Sequence, residues 1–355
     1  MDTVTSASKP KPSELPQFSP YQKISDQVDK YVLDKNSKIF HNKSKWVVTE
    51  KVHGANFSVY YNNGNVSFGK RNALLGEDDW FYSYQLIKPQ LIKNITLLSN
   101  IMNESNIVVY GELFGGFYPK DPSAWTGAEV NRINKKGVSI VPFDQKAIQE
   151  GIYYSPCVEY MVFDIGIISA DDTTEFLDYT SMVTNLNQTE FYYSKPLFIG
   201  EYTKASAYDI NFDSKIYCDF GLVQLPPGTN IAEGIVIKPL ISHYVKNKSN
   251  QDVRCIIKKK NPKFLEISDD FDLNKANNSF QAVFLRLINQ NRFNAVISKI
   301  GMVTDSNKEM VTEQLMNDAW EDFYLNHSNI QINDYDVVAS YVKNLCMNIV
   351  INNIS

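Results

Sequence analysis

The segment of this chain with the clearest chemical potential is Thr49-Glu50-Lys51-Val52-His53-Gly54-Ala55-Asn56-Phe57. A lysine set between a strand and a glycine turn can attack an electrophile once its amine is neutral, and burial or neighbouring positive charge favours that form. Candidate cationic neighbours are Lys238, in the run Glu233-Gly234-Ile235-Val236-Ile237-Lys238-Pro239, and Lys258 and Lys260, which end a run starting near Val253. Singly, each reads as a solvated surface lysine; three at strand positions are unusual. Glu112 closes the apolar run Val108-Val109-Tyr110-Gly111, where a carboxylate without a task would be a costly buried charge. His53 has no His, Cys or Asp at ligand spacing, so it reads as a site organiser or phosphate contact.

These residues need strands to hold them. Trp46 to Thr49, Phe57 to Tyr61 and Val66 to Lys70 are rich in β-branched and aromatic residues, and Asn62-Asn63-Gly64-Asn65 between the last two is a hairpin signal. Ile107 to Phe114, Val158 to Ile168, Gly234 to Lys238 and Val253 to Lys258 are further strands, at spacings too irregular for a repeat protein. Between Trp80 and Ile101 the apolar positions predict a helix that Pro89 breaks or kinks. Asp171 to Gly228 has no clear periodicity and is assigned to sheet and loops. After Phe271 the period becomes helical: Phe280 to Ile300, Asn307 to Tyr324 and Asp334 to Val350 each predict an amphipathic helix, with Gly301 stopping the first.

Composition narrows the partners. Among 355 residues, 35 are basic and 40 acidic, a net charge of -5, so nucleic acid can be held only by a local patch. The four cysteines, Cys157, Cys218, Cys255 and Cys346, are far apart and form neither a disulfide framework nor a zinc cluster. Pro10, Pro12, Pro16 and Pro20 mark a flexible leader without the apolar core of a secretory signal, and no run reaches the ~18 apolar residues of a membrane span. The expectation is a cytoplasmic monomer with no membrane contact.

In order, Lys51-Val52-His53-Gly54, Gly111-Glu112-Leu113-Phe114-Gly115-Gly116, Phe163-Asp164-Ile165, Glu233 to Pro239 and Ile257-Lys258-Lys259-Lys260 resemble motifs I, III, IIIa, IV and V of the covalent nucleotidyltransferases. His53, where DNA ligases and capping enzymes usually carry Asp, makes the resemblance one to the RNA ligase 2 family, which includes a phage RNA ligase and the kinetoplastid RNA-editing ligases. Tyr153-Tyr154-Ser155-Pro156 and Asn291 to Gly301 also look like this family, and the likeness covers about Lys45 to Leu325.

The resemblance implies an α+β fold: a nucleotidyltransferase, ATP-grasp-like mixed sheet domain over residues 25–270, after a leader of 1–24, and a small all-helical domain over 271–355. It implies an ATP-dependent RNA ligase that joins a 3'-hydroxyl to a 5'-phosphate through lysyl-AMP and RNA-adenylate, at nicks in duplex RNA. Lys51 would be the nucleophile, Lys258 and Lys260 would neutralise phosphate, and Lys238 would serve the later steps. Phe163 would stack on adenine, and Glu112 would accept from the ribose. Arg71 would meet the ribose or the RNA end, as would Asn56, and backbone groups near Glu50 and Val52 would read the base edge. Mg²⁺ or Mn²⁺ on the triphosphate would be held through water by Glu233 and Asp164. Arg286, Arg292, Lys299 and Lys308 of the helical part either hold the RNA backbone or solvate helix surfaces, the commoner fate of such charges, and the resemblance favours the RNA. The loop Tyr118 to Tyr153 is longer than in the phage enzyme and nearer the editing ligases. The alternatives are a DNA ligase or capping guanylyltransferase, which carry a barrel after motif V where this chain turns helical, and an inactive RNA-end binder, which has no need of a nucleophile.

Overall fold

The structure is a computed structural model that describes residues 18–26, 38–40, 44–118, 147–222, 224–247, 250–265, 280–326, 332 and 335–354. Most of the long loop from Tyr118, the first seventeen residues and the link between the two halves lie outside the described residues.

Elements run β1 (Lys45–Glu50), β2 (Ala55–Asn62), β3 (Asn65–Lys70), β4 (Ala73–Leu74), α1 (Lys88–Met102), β5 (Asn106–Phe114), β6 (Glu159–Ile168) and β7 (Thr174–Phe176). There follow α2 (Tyr179–Leu186), β8 (Tyr192–Tyr193), β9 (Pro196–Glu201), α3 (Tyr202–Ser206), α4 (Ile216–Asp219), β10 (Gly234–Pro239), β11 (Tyr244–Lys246), β12 (Asp252–Arg254) and β13 (Ile257–Lys260). Four helices end the described chain: α5 (Phe280–Leu287), α6 (Gln290–Ile300), α7 (Lys308–Asn326) and α8 (Tyr335–Asn352). One sheet has the order β4-β3-β2-β5-β6-β7, with β8 beside β6; the other has the order β13-β10-β1-β9.

Alternation along the strands sorts the side chains into two sets. On β2 and β5, Phe57, Val59, Ile107 and Val109 face α1 in the main core, while Tyr60, Val108 and Tyr110 face the other way, toward Val236 of the second sheet. Trp46, Val48, Ile235 and Ile237 fill a separate core behind the four-stranded sheet. The opposite set, Thr49, Val236 and Lys238, faces the cleft between the sheets, and Val47 joins the main core. The hairpin turns on Asn63 and Gly64, both at positive φ, as its sequence predicts.

Several expectations change. Pro89 lies in the first turn of α1, where it lacks only an N–H that would be unpaired anyway, so it starts the helix and does not kink it. The helix expected over Phe280 to Ile300 is two, because Asn289 is extended and its side chain caps α6 by accepting from Arg292 N–H. The stretch from Asp171 carries α2, α3 and α4 as well as strands. The run from Val253 breaks into β12 and β13. Within residues 18–24, expected in a flexible leader, Tyr21 is buried and Ser19 O accepts from Tyr60 and Tyr110, and Ser25 just beyond bridges to Ile257.

Arg292 is also reassigned. It is 0% exposed, donates to Leu287 O and Asp318 O, and pairs with Asp318 at 2.6 Å and Asp322 at 2.5 Å, so it joins α6 to α7 and cannot reach a nucleic acid. Lys299 pairs with Asp318 and Lys308 with Asp305, which leaves these cations tied to neighbouring carboxylates. Arg292→Ala is expected to destabilise the helical part by about 3 kcal/mol, since it strands two partly buried carboxylates and opens a cavity. Urea unfolding followed by the fluorescence of Trp320, which lies in the same core, measures this.

Candidate active site

The site is built from the ends of β1 and β10. Lys51 N–H donates to Gly234 O at 2.9 Å, which carries the β1–β10 ladder one residue past the strand and sets the lysine beside Glu233. Gly54 follows because a side chain there would collide with Leu113 O of β5, so only glycine lets the chain enter β2 at that distance. Across β10, Gly234 is opposite Lys260 and Val236 opposite Lys258. Lys258 and Lys260 thus share the cleft face, while Lys259 between them turns outward to Ser206 O.

Glu233 gathers the cations. Its Oε2 lies 2.7 Å from Lys51 Nζ and 3.3 Å from His53 Nδ1, and its Oε1 lies 3.3 Å from Lys260 Nζ. Burial alone would raise this carboxyl; Lys51, Lys260 and His53 hold it well below the usual range. The group nearest Lys51 is therefore an anion, contrary to the expected set of cationic neighbours. His53 is positioned from both sides: its N–H donates to Tyr154 Oη at 3.0 Å and its ring lies edge-on to Phe264.

A second, separate cluster surrounds Asp164, which is 0% exposed. Oδ1 takes Lys238 Nζ at 3.0 Å and Arg254 Nη2 at 3.2 Å; Oδ2 takes Tyr21 Oη at 2.5 Å and Arg254 Nη1 at 2.8 Å. Despite burial, Lys238 and Arg254 bring this carboxyl down to about 2. Lys238 also donates to Phe163 O, and the Arg254 guanidinium covers Phe176. Because Tyr110 pairs with Asp164 and Gly111 with Val162, Phe163 is the extra residue of a β-bulge. Phe163 and Asp164 thereby both meet Tyr21 on the cleft side, Phe163 edge-on at 5.0 Å and half-buried.

The seven-stranded sheet supplies the facing wall. Asn56 on β2 is directly opposite Glu112 on β5, and Arg71, just past β3, is half-buried near Glu112, Tyr21 and Tyr110. Burial pushes the Glu112 carboxyl up to about 8 against the pull of Lys51 and Arg71.

The sequence expectations for Glu50, Val52 and the metal pair are modified. Glu50 turns away from the cleft toward Ser214 and Tyr154, and Val52 is buried in a satellite cluster with Phe114 and Phe264, so only the main chain of either can meet a nucleotide. Asp164 and Glu233 are not brought together: each has its oxygens engaged by cations, and no group of three or more His, Cys, Asp or Glu able to hold a metal occurs among the described residues. Tyr21 and Arg254 carry no role in the sequence reading, and Tyr154 enters it only within the motif Tyr153-Tyr154-Ser155-Pro156. Arg254 had a usable signal, a charge inside Val253-Arg254-Cys255-Ile256, but Tyr21 lies 143 residues from its partner with no local pattern to mark it.

Glu50 yields a pH test. It is 8% exposed, one carboxyl oxygen has no partner among the described residues, and burial pushes it up to about 8. A raised carboxyl holds a proton in the folded state that the unfolded chain has lost, so its contribution to stability falls as pH rises from about 5 through 8, by at most ~1.4 kcal/mol per pH unit. Glu50→Gln removes that proton uptake. Relative to the unaltered chain it should gain about 2 kcal/mol between pH 6 and pH 8, read by urea unfolding at each pH; parallel curves for the two proteins would contradict the assignment.

A family model described as RNA ligase matches residues 44–260, and one described as T4 RNA ligase 2 C-terminal matches residues 272–348. RNA-editing ligase 1, mitochondrial, of Trypanosoma brucei brucei is 29% identical over 256 residues, 64% of this chain and 52% of that protein. RNA-editing ligase 2, mitochondrial, of the same organism is 29% identical over 211 residues, 55% and 48%. The chain thus spans about half the length of the curated relatives it matches. A mutant of a Naegleria gruberi RNA ligase, solved with AMP and Mn, superposes with a TM-score of 0.45 at 16% identity over 71% of this chain and 59% of that one. With the first model spanning well over half of its residues and including Lys51, Glu112, Glu233 and Lys260, this chain belongs to the RNA ligase family.

Proposed function

We propose that the protein is an ATP-dependent RNA ligase, and the observation that carries this is the Lys51–Glu233–Lys260 cluster with His53 beside it. In the first step Lys51 Nζ, having lost a proton, bonds to the α-phosphorus of ATP; the bond from that phosphorus to the bridging oxygen breaks and pyrophosphate leaves. Next a 5'-phosphate oxygen of RNA attacks the same phosphorus, breaking the bond to Lys51 and giving RNA-adenylate. Finally the 3'-hydroxyl attacks the 5'-phosphate and AMP departs.

Each wall has a task. Glu233 holds Lys51 in line and keeps Lys260 from repelling it; when triphosphate enters, the cations on β13 can turn from this carboxylate to phosphate oxygens. His53 steadies the same phosphates. Phe163 provides the face for adenine. Glu112, Asn56 and Arg71 receive the ribose and the RNA end. Lys238 holds the Phe163 carbonyl and Asp164, so its part in the later steps is to keep the adenine side of the cleft in shape. A divalent metal, Mg²⁺ or Mn²⁺, would supply charge neutralisation and orientation of the triphosphate; both Glu233 and Asp164 are occupied, so it would be held mainly by phosphate and water.

Nicked duplex RNA is the proposed substrate, recognised by A-form shape and with little sequence preference. One chain supplies every group of the site, so a monomer suffices. No helix among the described residues is long and apolar enough to cross a membrane.

With α-labelled ATP and Mg²⁺, the unaltered chain should become labelled on a denaturing gel, more strongly than with GTP, while Lys51→Ala should give no band and keep its fold. A band of undiminished intensity in Lys51→Ala, or equal labelling by GTP, would count against the nucleophile or the base preference respectively. A chain shortened to residues 1–277 tests the proposed division into an adenylylating part and an RNA-engaging helical part. It should still label itself, yet seal a 5'-phosphorylated nick far more slowly than the full chain; equal sealing rates would refute that division.

A further inference from the structure

Beyond the nucleotide cleft, one pair of stacked aromatic rings among the described residues is only partly buried at both members. Phe117 and Tyr153 stack with centroids 4.6 Å apart and planes 21° from parallel. Tyr153 leans on the satellite cluster containing Val52, Tyr154 and Phe264, but Phe117 belongs to none of the apolar clusters of the described residues. A ring placed in this way adds little to the core and costs hydration, which suits a surface that another flat group completes.

The pair is held rigidly. The side chain of Asn230, 1% exposed, accepts from Tyr153 N–H at 2.8 Å and donates to Tyr153 O at 2.9 Å, fixing that residue's main chain at both ends. Asn230 N–H is itself fixed by Asp213 Oδ1. On the other side, Gly115 and Gly116, both at positive φ, swing the chain out of β5, and Gly116 N–H donates to Ser155 O.

Its place relative to the proposed chemistry is set by chain neighbours on three segments. Tyr153 precedes Tyr154, whose hydroxyl receives His53 N–H. Asn230 is three residues before Glu233, the partner of Lys51. Phe117 is five residues past Glu112 on the chain leaving β5. Lys263 lies over the Phe264 ring that the His53 ring also meets, so a cation for a backbone phosphate is close by.

We propose that Phe117 and Tyr153 form a base-stacking platform for the terminal nucleotide of an RNA strand entering the Lys51 pocket. The identity of the occupant rests on the ligase reading. Every base has a π-face, so a stacking platform accepts any sequence, as an end-joining enzyme requires, and pre-stacked rings lose little freedom when a base is added.

The test uses the full chain and a short 5'-phosphorylated RNA with 2-aminopurine at both terminal positions, whose fluorescence is quenched by stacking. An ATP analogue with a methylene between the α- and β-phosphates is kept at saturation, so that the adenine pocket near Phe163 is filled. The unaltered protein should quench the probe. Phe117→Leu should bind it roughly tenfold more weakly with most of the quench lost, whereas Phe117→Trp, which restores a ring, should retain both. Circular dichroism confirms that each variant is folded. No quench by the unaltered protein, or an unchanged affinity and quench in folded Phe117→Leu, overturns the platform. AMP labelling of the unaltered chain is scored separately. A labelled band with unchanged quench in the variant removes the platform alone, and no band with a lost quench removes the ligase chemistry while the platform stands.

Discussion

Cations facing one cleft can be kept out of water only if anions are buried with them, and this charge balance is the constraint on which the rest of the structure depends. Lys51, Lys260 and His53 converge on Glu233, and Lys238 and Arg254 converge on Asp164. Each carboxylate is 3% exposed or less, so removing either would leave uncompensated charge in a low dielectric. The two clusters differ in what they permit. Around Glu233, Lys51 and His53 keep part of their surface in contact with solvent, and incoming phosphate can replace the carboxylate as their partner. Around Asp164 every group is buried and every oxygen saturated, which makes that cluster a fixed joint between the sheets.

The joint explains how the two sheets share a cleft. Asp164 comes from the seven-stranded sheet, Lys238 from the four-stranded one, Arg254 from the β11–β12 hairpin, and Tyr21 from the segment ahead of the first strand. Gln22 adds a reciprocal pair with the main chain of Arg254, and Lys258 N–H donates to Ser25 O, so residues 18–26 act as a strap across both sheets. A β-bulge completes the arrangement. Without the extra residue in β6, strand alternation would send Phe163 and Asp164 to opposite faces, and the aromatic face and the charge joint could not occupy the same wall.

The helical part follows a different economy. Its largest buried polar side chain, Arg292, is spent on joining α6 to α7, and its core of Phe284, Phe293, Val311, Leu315 and Phe323 is its own. It meets the sheets through a few polar links: Tyr82 Oη to Ile297 O, Gln149 to Asn294 O, and Asn291 to Lys263 O and Leu265 O. Apolar contact adds to these links, since Met302 packs against the main core.

By itself the sequence determined the ordered motifs, the hairpin at Asn63-Gly64, the strands that carry Glu112 and Lys238, the strand that leads into Lys51, and the change to helices after Phe271. All of these are written in patterns a few residues long: alternation, helical period, a turn pair, a lysine beside a glycine. Only the tertiary structure decided which carboxylate each lysine meets, that Tyr21 and Arg254 belong to the site, that the side chain of Glu50 points away from it, and that Arg292 is interior. The reason is distance along the chain. Tyr21 and Arg254 reach Asp164 across 143 and 90 residues, and Lys51 reaches Glu233 across 182. Pairings of that range are fixed by how two sheets pack and where a strand bulges, and no local spacing records either.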